Sequence, residues 1–114
     1  MAQNPPPVIE DLIVTPKEPK YMKVSSGDYL ILKSKTCEIA CIATSASSEL
    51  NYEWLAEGDN TDGGQISGAG SVITWKAPGS GDTITITVTV SDIAGLKASK
   101  NVVFKVKTCA CAFN

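Results

Sequence analysis

The sequence predicts an all-β protein, folded as a Greek-key sandwich of two antiparallel sheets with about seven strands. Three observations carry that expectation. Residues 83–90 read Thr-Ile-Thr-Ile-Thr-Val-Thr-Val. A strand sends successive side chains to opposite faces, so Ile84, Ile86, Val88 and Val90 share a core face and Thr83, Thr85, Thr87 and Thr89 a wet one. All eight are β-branched, which disfavours helix and suits a half-buried pleated surface. No segment sustains a helical apolar period. Clusters of Gly, Pro, Ser and Asp cut the chain into short alternating segments at the spacing of a sandwich.

The elements follow in order. Residues 1–7 are read as a linker, because Pro5-Pro6-Pro7 favours an extended, semi-rigid conformation. A first strand is expected over 8–15, anchored by Ile9, Leu12 and Val14, with Pro16 and Pro19 ending it or confining it to an edge. Tyr21 to Val24 make a short edge segment, followed by a turn at Ser25-Ser26-Gly27-Asp28. The second strong strand lies within 28–45, with Cys37, Ile39, Cys41 and Ala43 on one face. Residues 45–49 form a polar loop, and 51–57 the third strand, with Tyr52 and Trp54 on one face. The Gly-rich stretch 58–70 is a loop holding one short strand around Gln65-Ile66-Ser67. A strand over 71–76 is closed by Ala77-Pro78-Gly79-Ser80-Gly81. The Thr/Ile/Val strand, a tight turn at 92–95 and a last strand over 100–107 complete a domain spanning 8–107, with 108–114 as a C-terminal tail. The expected core is Leu12, Val14, Ile39, Cys41, Trp54, Ile73, Trp75, Ile84, Ile86, Val88, Val90, Val102, Phe104 and Val106.

At 114 residues the chain is one domain with one core. Its net charge of −2 and the absence of arginine, all 10 basic residues being lysine, remove the electrostatic footprint and the guanidinium forks that nucleic-acid recognition leans on. Histidine is absent. That removes the usual general base, the Ser-His and Cys-His nucleophile pairs and the commonest zinc ligand, so no enzyme activity and no cofactor is expected. No apolar run approaches the ~20 residues of a membrane helix. The N-terminus lacks the basic and apolar regions of a signal peptide, and the chain is expected to be a segment of a longer protein.

Four motifs fall in one order: Tyr52-Glu53-Trp54, then Gly64-Gln65-Ile66-Ser67-Gly68-Ala69-Gly70-Ser71, then Thr74-Trp75-Lys76-Ala77-Pro78, then Ile86-Thr87-Val88-Thr89-Val90-Ser91-Asp92 with Gly95 behind it. Over residues 8 to 107 this order resembles the immunoglobulin-like repeats of the polycystic-kidney-disease (PKD) type in surface and secreted proteins of bacteria and archaea. The resemblance implies an immunoglobulin-like sandwich with Trp54 and Trp75 as structural core. It also implies a non-catalytic extracellular or cell-surface module that spaces or presents neighbouring domains, or adheres to another surface protein or glycan. The alternative is an accessory glycan-binding module of a secreted hydrolase. Some repeats of this type bind calcium through acidic residues before the Tyr-x-Trp strand together with the aspartate of the Ser-Asp pair. Here the loop before that strand offers only Glu49, so Asp92 and Glu49 are a weak calcium pair. The competing reading has Asp92 capping the turn toward Gly95 through local amides.

The four cysteines are the only reactive set. Cys37 and Cys41 lie about 13 Å apart along one strand, beyond the ~4.4–6.8 Å that a disulfide tolerates. Cys109 and Cys111 would be strained if extended. The workable bridges join one member of each group: Cys37–Cys111 with Cys41–Cys109, or Cys37–Cys109 with Cys41–Cys111. Such a bridge would tie the second strand to the tail and imply an oxidising compartment. Two other readings stand beside it: free thiols with Cys41 as a small core residue, and a four-thiolate zinc site, whose spacing is unusual. The loop 57–64 reads as a solvated loop rather than a calcium loop. The threonine ladder reads as an ordinary solvent face. Tyr21 and Tyr29 are the sugar-stacking candidates for the glycan alternative, in a chain with only two Trp, three Tyr and two Phe to share with the core.

Overall fold

A computed structural model of the protein describes residues 5–46 and 49–113. Asn4 of the proline stretch, Ser47 and Ser48 of the expected polar loop, and the last residue of the tail lie outside the described residues. The chain forms strands β1 (Val8–Pro16), β2 (Met22–Ser25), β3 (Asp28–Leu32), β4 (Thr36–Thr44), β5 (Leu50–Gly58), β6 (Gln65–Ser67), β7 (Val72–Lys76), β8 (Asp82–Asp92) and β9 (Lys97–Lys107), with short 3₁₀ turns at Pro19–Tyr21 and Ala110–Phe113. One sheet has the order β1-β4-β7-β6 and the other β2-β3-β9-β8-β5. The first order is that of the ABED sheet of an immunoglobulin-like sandwich, and β9-β8-β5 is that of its GFC strands. The expected all-β, immunoglobulin-like Greek-key sandwich is therefore the fold. The strands beyond seven come from the β2–β3 hairpin.

Local chemistry explains the departures. Pro16 closes β1, and the 3₁₀ turn beginning at Pro19 carries the chain from one sheet to the other. Proline removes a ladder donor and fixes φ, so the chain leaves the sheet there. Ser26 (φ 53) and Gly27 (φ 86) then turn β2 back into β3 in the left-handed conformations that a two-residue hairpin needs. As a result β3 lies alongside β9 and runs parallel to it, Tyr29 opposite Phe104. The sequence predicts antiparallel pairing within each sheet, apart from possible first-strand pairing; the parallel pair is instead β3–β9, and β1 pairs antiparallel with β4. The stretch expected as one strand within 28–45 is two, β3 and β4, in different sheets.

The two clusters of buried side chains follow the alternation of β4, β7, β8 and β9. On β8 every apolar residue from Ile84 to Val90 is fully buried, while the threonines between them are half-exposed. Ten of the expected core residues are buried; Leu12, Val14, Trp54 and Val102 are half-buried, and Ile31, Cys37 and Ala77 join the core. The middle of the sandwich belongs to Trp75, at 0% exposure, rather than to Trp54. Trp54 sits on the edge strand β5 opposite Val88. It covers the flank of both clusters. Trp75 lies on the inner strand β7 and tilts against Phe104 at 4.6 Å between ring centroids.

The ladders also fix where the domain's strands begin and end. Val8 stands opposite Thr44 at one end of β4. Lys107 lies at the other end, opposite Leu32, with its carbonyl accepting the Lys33 amide at 2.7 Å. The described chain measures 58 × 23 × 22 Å, so it enters and leaves a long body at opposite ends.

The different placement of the two indoles predicts unequal costs. Trp75→Phe removes buried volume and a buried donor, and is expected to lower stability by about 2–4 kcal/mol. Trp54→Phe is expected to cost about 1 kcal/mol. Urea unfolding followed by far-ultraviolet circular dichroism measures both; equal losses would contradict the assignment of the centre to Trp75.

Candidate functional site

The densest polar arrangement among the described residues is one that the sequence reading did not single out. Asp82 opens β8 and faces the loop that follows β5. Its carboxylate accepts hydrogen bonds from the Asn60 amide (3.1 Å), the Thr61 amide (2.9 Å), the Thr61 hydroxyl (2.8 Å) and the Thr83 amide (2.9 Å). The Asn60 side-chain amide donates a further one at 3.3 Å. Thr61 Oγ1 in turn accepts the Gly63 amide at 3.1 Å, and Asp62 accepts the Gly64 amide at 3.1 Å. The chain of bonds ends inside the core, where the Trp75 indole N–H donates to the Gly63 carbonyl at 2.8 Å. Gly63 (φ 93) and Gly64 (φ 88) are obligatory here. A Cβ on either would meet backbone, the Ala56 carbonyl in one case and the Lys76 carbonyl in the other. Loop 57–64 is therefore a tethered structural element. The signal for it was present in the aspartate that directly follows Gly79-Ser80-Gly81, but Asp82 reads locally as one more turn residue.

Partial desolvation pushes the Asp82 carboxyl up. The donors from Thr61, Asn60 and Thr83 outweigh it and hold the group below its ordinary 3.8.

Asp92, the weak calcium candidate, is 6% exposed. Its Oδ1 accepts the Ala94 amide at 2.9 Å and the Leu96 amide at 3.0 Å, and its carbonyl accepts the Gly95 amide. This is the turn cap that the competing reading described. Glu49 precedes β5, whose Leu50 stands opposite Asp92. Among the described residues no three His, Cys, Asp or Glu side chains group so as to hold a metal ion.

The cysteine pairing expected from the sequence is corrected. Cys109 and Cys111 are joined to each other, with 5.2 Å between α-carbons, and Cys37 and Cys41 are free and buried. The tail is not extended. Its 3₁₀ turn, with the Ala112 amide on the Cys109 carbonyl at 3.1 Å, brings the two α-carbons into disulfide range. Cys37 faces the core opposite Trp75 in the ladder. Burial pushes its thiol up to about 12. Burial raises the Cys41 thiol as well, against an opposing pull from Lys100.

The tyrosine candidates do not form a common plane. Tyr29 stacks on buried Phe104 at 5.4 Å, whereas Tyr21 meets Phe113 edge-on at 6.4 Å and lies under Lys20 and Lys35 at 4.8 and 4.7 Å. Two of the open hollows on the described surface have charged residues in their linings. One, of about 300 Å³, is lined by Ser34, Asp62, Gln65, Lys76 and Pro78 among others. The other, of about 430 Å³, is lined by Glu53, Leu55, Glu57, Thr87 and Thr89 on the outer face of β5 and β8, with part of Trp54 beside them. The first holds one carboxylate and one lysine, the second two carboxylates and no lysine. Among the described residues no helix is long and apolar enough to cross a membrane. Comparison with protein-family models, with curated proteins and with solved structures finds no match.

Two outcomes follow. A group whose folded value lies below its unfolded one stabilises the protein above its ordinary value, and that stability is lost as pH falls through the lower folded value. Asp82→Asn is therefore expected to be less stable than the parent at neutral pH. The gap should close as acid takes the medium below 3.8; urea midpoints across that range measure it, and a gap independent of pH would contradict the tether. The second concerns the thiols. Folded, oxidised protein is expected to take up no alkylating reagent. Denatured without reductant it should take up two equivalents, at Cys37 and Cys41. Peptide mass spectrometry reads the sites, and native labelling of Cys37 would contradict its placement.

Proposed function

We propose that the protein is a non-catalytic spacer module of a larger surface or secreted protein, holding its neighbours apart and presenting them. The observation that carries the reading is the opposite placement of the two chain ends, with Val8 beside Thr44 and Lys107 beside Leu32 at the far end of the sandwich. Copies or neighbours joined through such ends extend along the long axis, and the domain becomes a strut whose stiffness is that of its core. The proline-rich approach at Pro5 to Pro7 adds reach. The order of the Tyr-x-Trp, Gly-rich, Thr-Trp-x-Ala-Pro and Ser-Asp motifs, similar to that of PKD-type repeats, supports the same reading. The Cys109–Cys111 disulfide favours an oxidising, extracellular location.

The glycan-binding alternative needs two or three aromatics in one exposed plane. Tyr29 is spent on Phe104 and Tyr21 on Phe113, and no other observation favours it. Adhesion to a partner protein through the half-exposed threonine face is compatible with the spacer reading and is not required by it.

The test is a tandem of two copies joined through residues 1–7, measured by small-angle scattering. The longest dimension is expected to approach twice that of one copy. A folded-back pair with a dimension near that of a single copy would overturn the spacer reading, as would a glycan-array signal abolished by Tyr21→Ala or Tyr29→Ala.

A further inference from the structure

The Cys109–Cys111 disulfide closes a loop of sequence separation 2 and ties no strand to another. A cross-link of so short a loop removes little freedom from the unfolded chain. Its contribution to holding the sandwich together is therefore small, yet it is the exposed sulfur pair of the chain's four cysteines. Both of its cysteines are exposed, in contrast to Cys37 and Cys41. Two further features surround it. The Cys111 amide donates to Cys109 Sγ at 3.2 Å. The turn that the ring closes also seats Phe113 edge-on against Tyr21, in a setting of cations. Lys23 lies 5.9 Å from the Phe113 ring, and Lys20 and Lys35 stand over Tyr21. Lys107 ends the strand that leads into the ring, and its carbonyl binds the Lys33 amide. The acidic group held within this cluster is Glu18, paired with Lys35 at 3.0 Å.

We propose that Cys109–Cys111 is a thiol–disulfide exchange site for an anionic low-molecular-weight thiol, and that its opening releases Phe113 from Tyr21. The incoming thiolate attacks Cys111 Sγ. The Cys111–Cys109 bond breaks and its electron pair leaves on Cys109 Sγ, where the Cys111 amide already points and where water supplies the proton. A mixed disulfide remains on Cys111. A second external thiolate attacks the external sulfur of that mixed disulfide, forming the oxidised external disulfide and leaving Cys111 as a thiolate that takes up a proton. In sum two external thiols are oxidised and the protein gains two electrons and two protons. The direction of attack follows from the hydrogen bond, because the sulfur better able to carry negative charge is the better leaving group. The lysines raise the local concentration of a negatively charged reagent.

The experiment uses the full chain in native buffer with reduced glutathione or, at equal thiolate concentration, the cationic thiol cysteamine. Reactions are quenched in acid and mapped by peptide mass spectrometry. The mixed disulfide is expected on Cys111 over Cys109 by about tenfold. Glutathione should react several-fold faster than cysteamine, with the difference shrinking at high salt. Complete reduction should shift the Tyr21 and Phe113 resonances and leave that of the Trp75 indole in place. Resistance to thiol until denaturant is added would overturn the proposal. So would adduct mainly on Cys109, equal rates for the two thiols, or unchanged Tyr21 and Phe113 resonances. A Cys109→Ser, Cys111→Ser double variant, which lacks both sulfurs, should fold and show the reduced protein's Tyr21 and Phe113 resonances from the start; the oxidised pattern in that variant would sink the latch.

Discussion

The structure depends most on one hydrogen bond in the core, from the Trp75 indole to the Gly63 carbonyl. An indole buried to this degree carries a donor that must find a partner, and an unpaired one costs about 1–3 kcal/mol. No sheet carbonyl serves that donor. The partner is supplied by a loop from outside the sheet, which must then be held in place. The Asp82 carboxylate does this through Asn60 and Thr61. The two glycines allow the loop backbone to lie against β5 and β7 at distances closed to any Cβ. Core, loop and the start of β8 are thus one unit. Loosening the tether exposes a polar group inside the sandwich, and shrinking the indole leaves the loop with nothing to dock on.

The same loop settles a second constraint. A sandwich has open sheet edges, and an open edge invites another strand. The edge strand β5 is flanked by Gly63 against Ala56 and by the Trp54 indole reaching across to the Gly70 carbonyl at 2.8 Å. The other edges are blunted differently. β6 has three residues and β2 four, the latter carrying exposed Lys23. β1 has an irregularity between Ile9 and Asp11 and ends in proline. Protected edges suit a module joined to its neighbours through its ends.

How much of this the sequence disclosed varies with the range of the interaction. The alternation in β8, the Gln65–Ser67 strand, the turn at Asp92 and most core positions depend on nearest neighbours and were legible. The ranking of the two tryptophans was not, because both lie on alternating strands. Only the sheet order places β7 inside and β5 at an edge. The Asp82 tether spans 21 residues to Thr61, a separation at which an aspartate among turn residues carries no local mark. The cysteine pairing failed for a related reason. Strand geometry was extended to a segment that turns, and the turn brings Cys109 and Cys111 together. Tyr21 and Tyr29 were recognised as aromatics of interest, but their partners Phe113 and Phe104 are set by the parallel β3–β9 pair and the tail turn.

The central claim is that the Trp75–Gly63 bond is part of the global core and no local decoration. Hydrogen exchange of the two indole N–H protons, followed by nuclear magnetic resonance, tests it most directly. The Trp75 proton is predicted to exchange only through global unfolding, with the same free energy and denaturant dependence as the slowest β8 amides. The Trp54 proton, bonded to Gly70 at the flank, is predicted to exchange faster through local opening. Rapid exchange of Trp75 under conditions where the β8 amides stay protected would contradict the account.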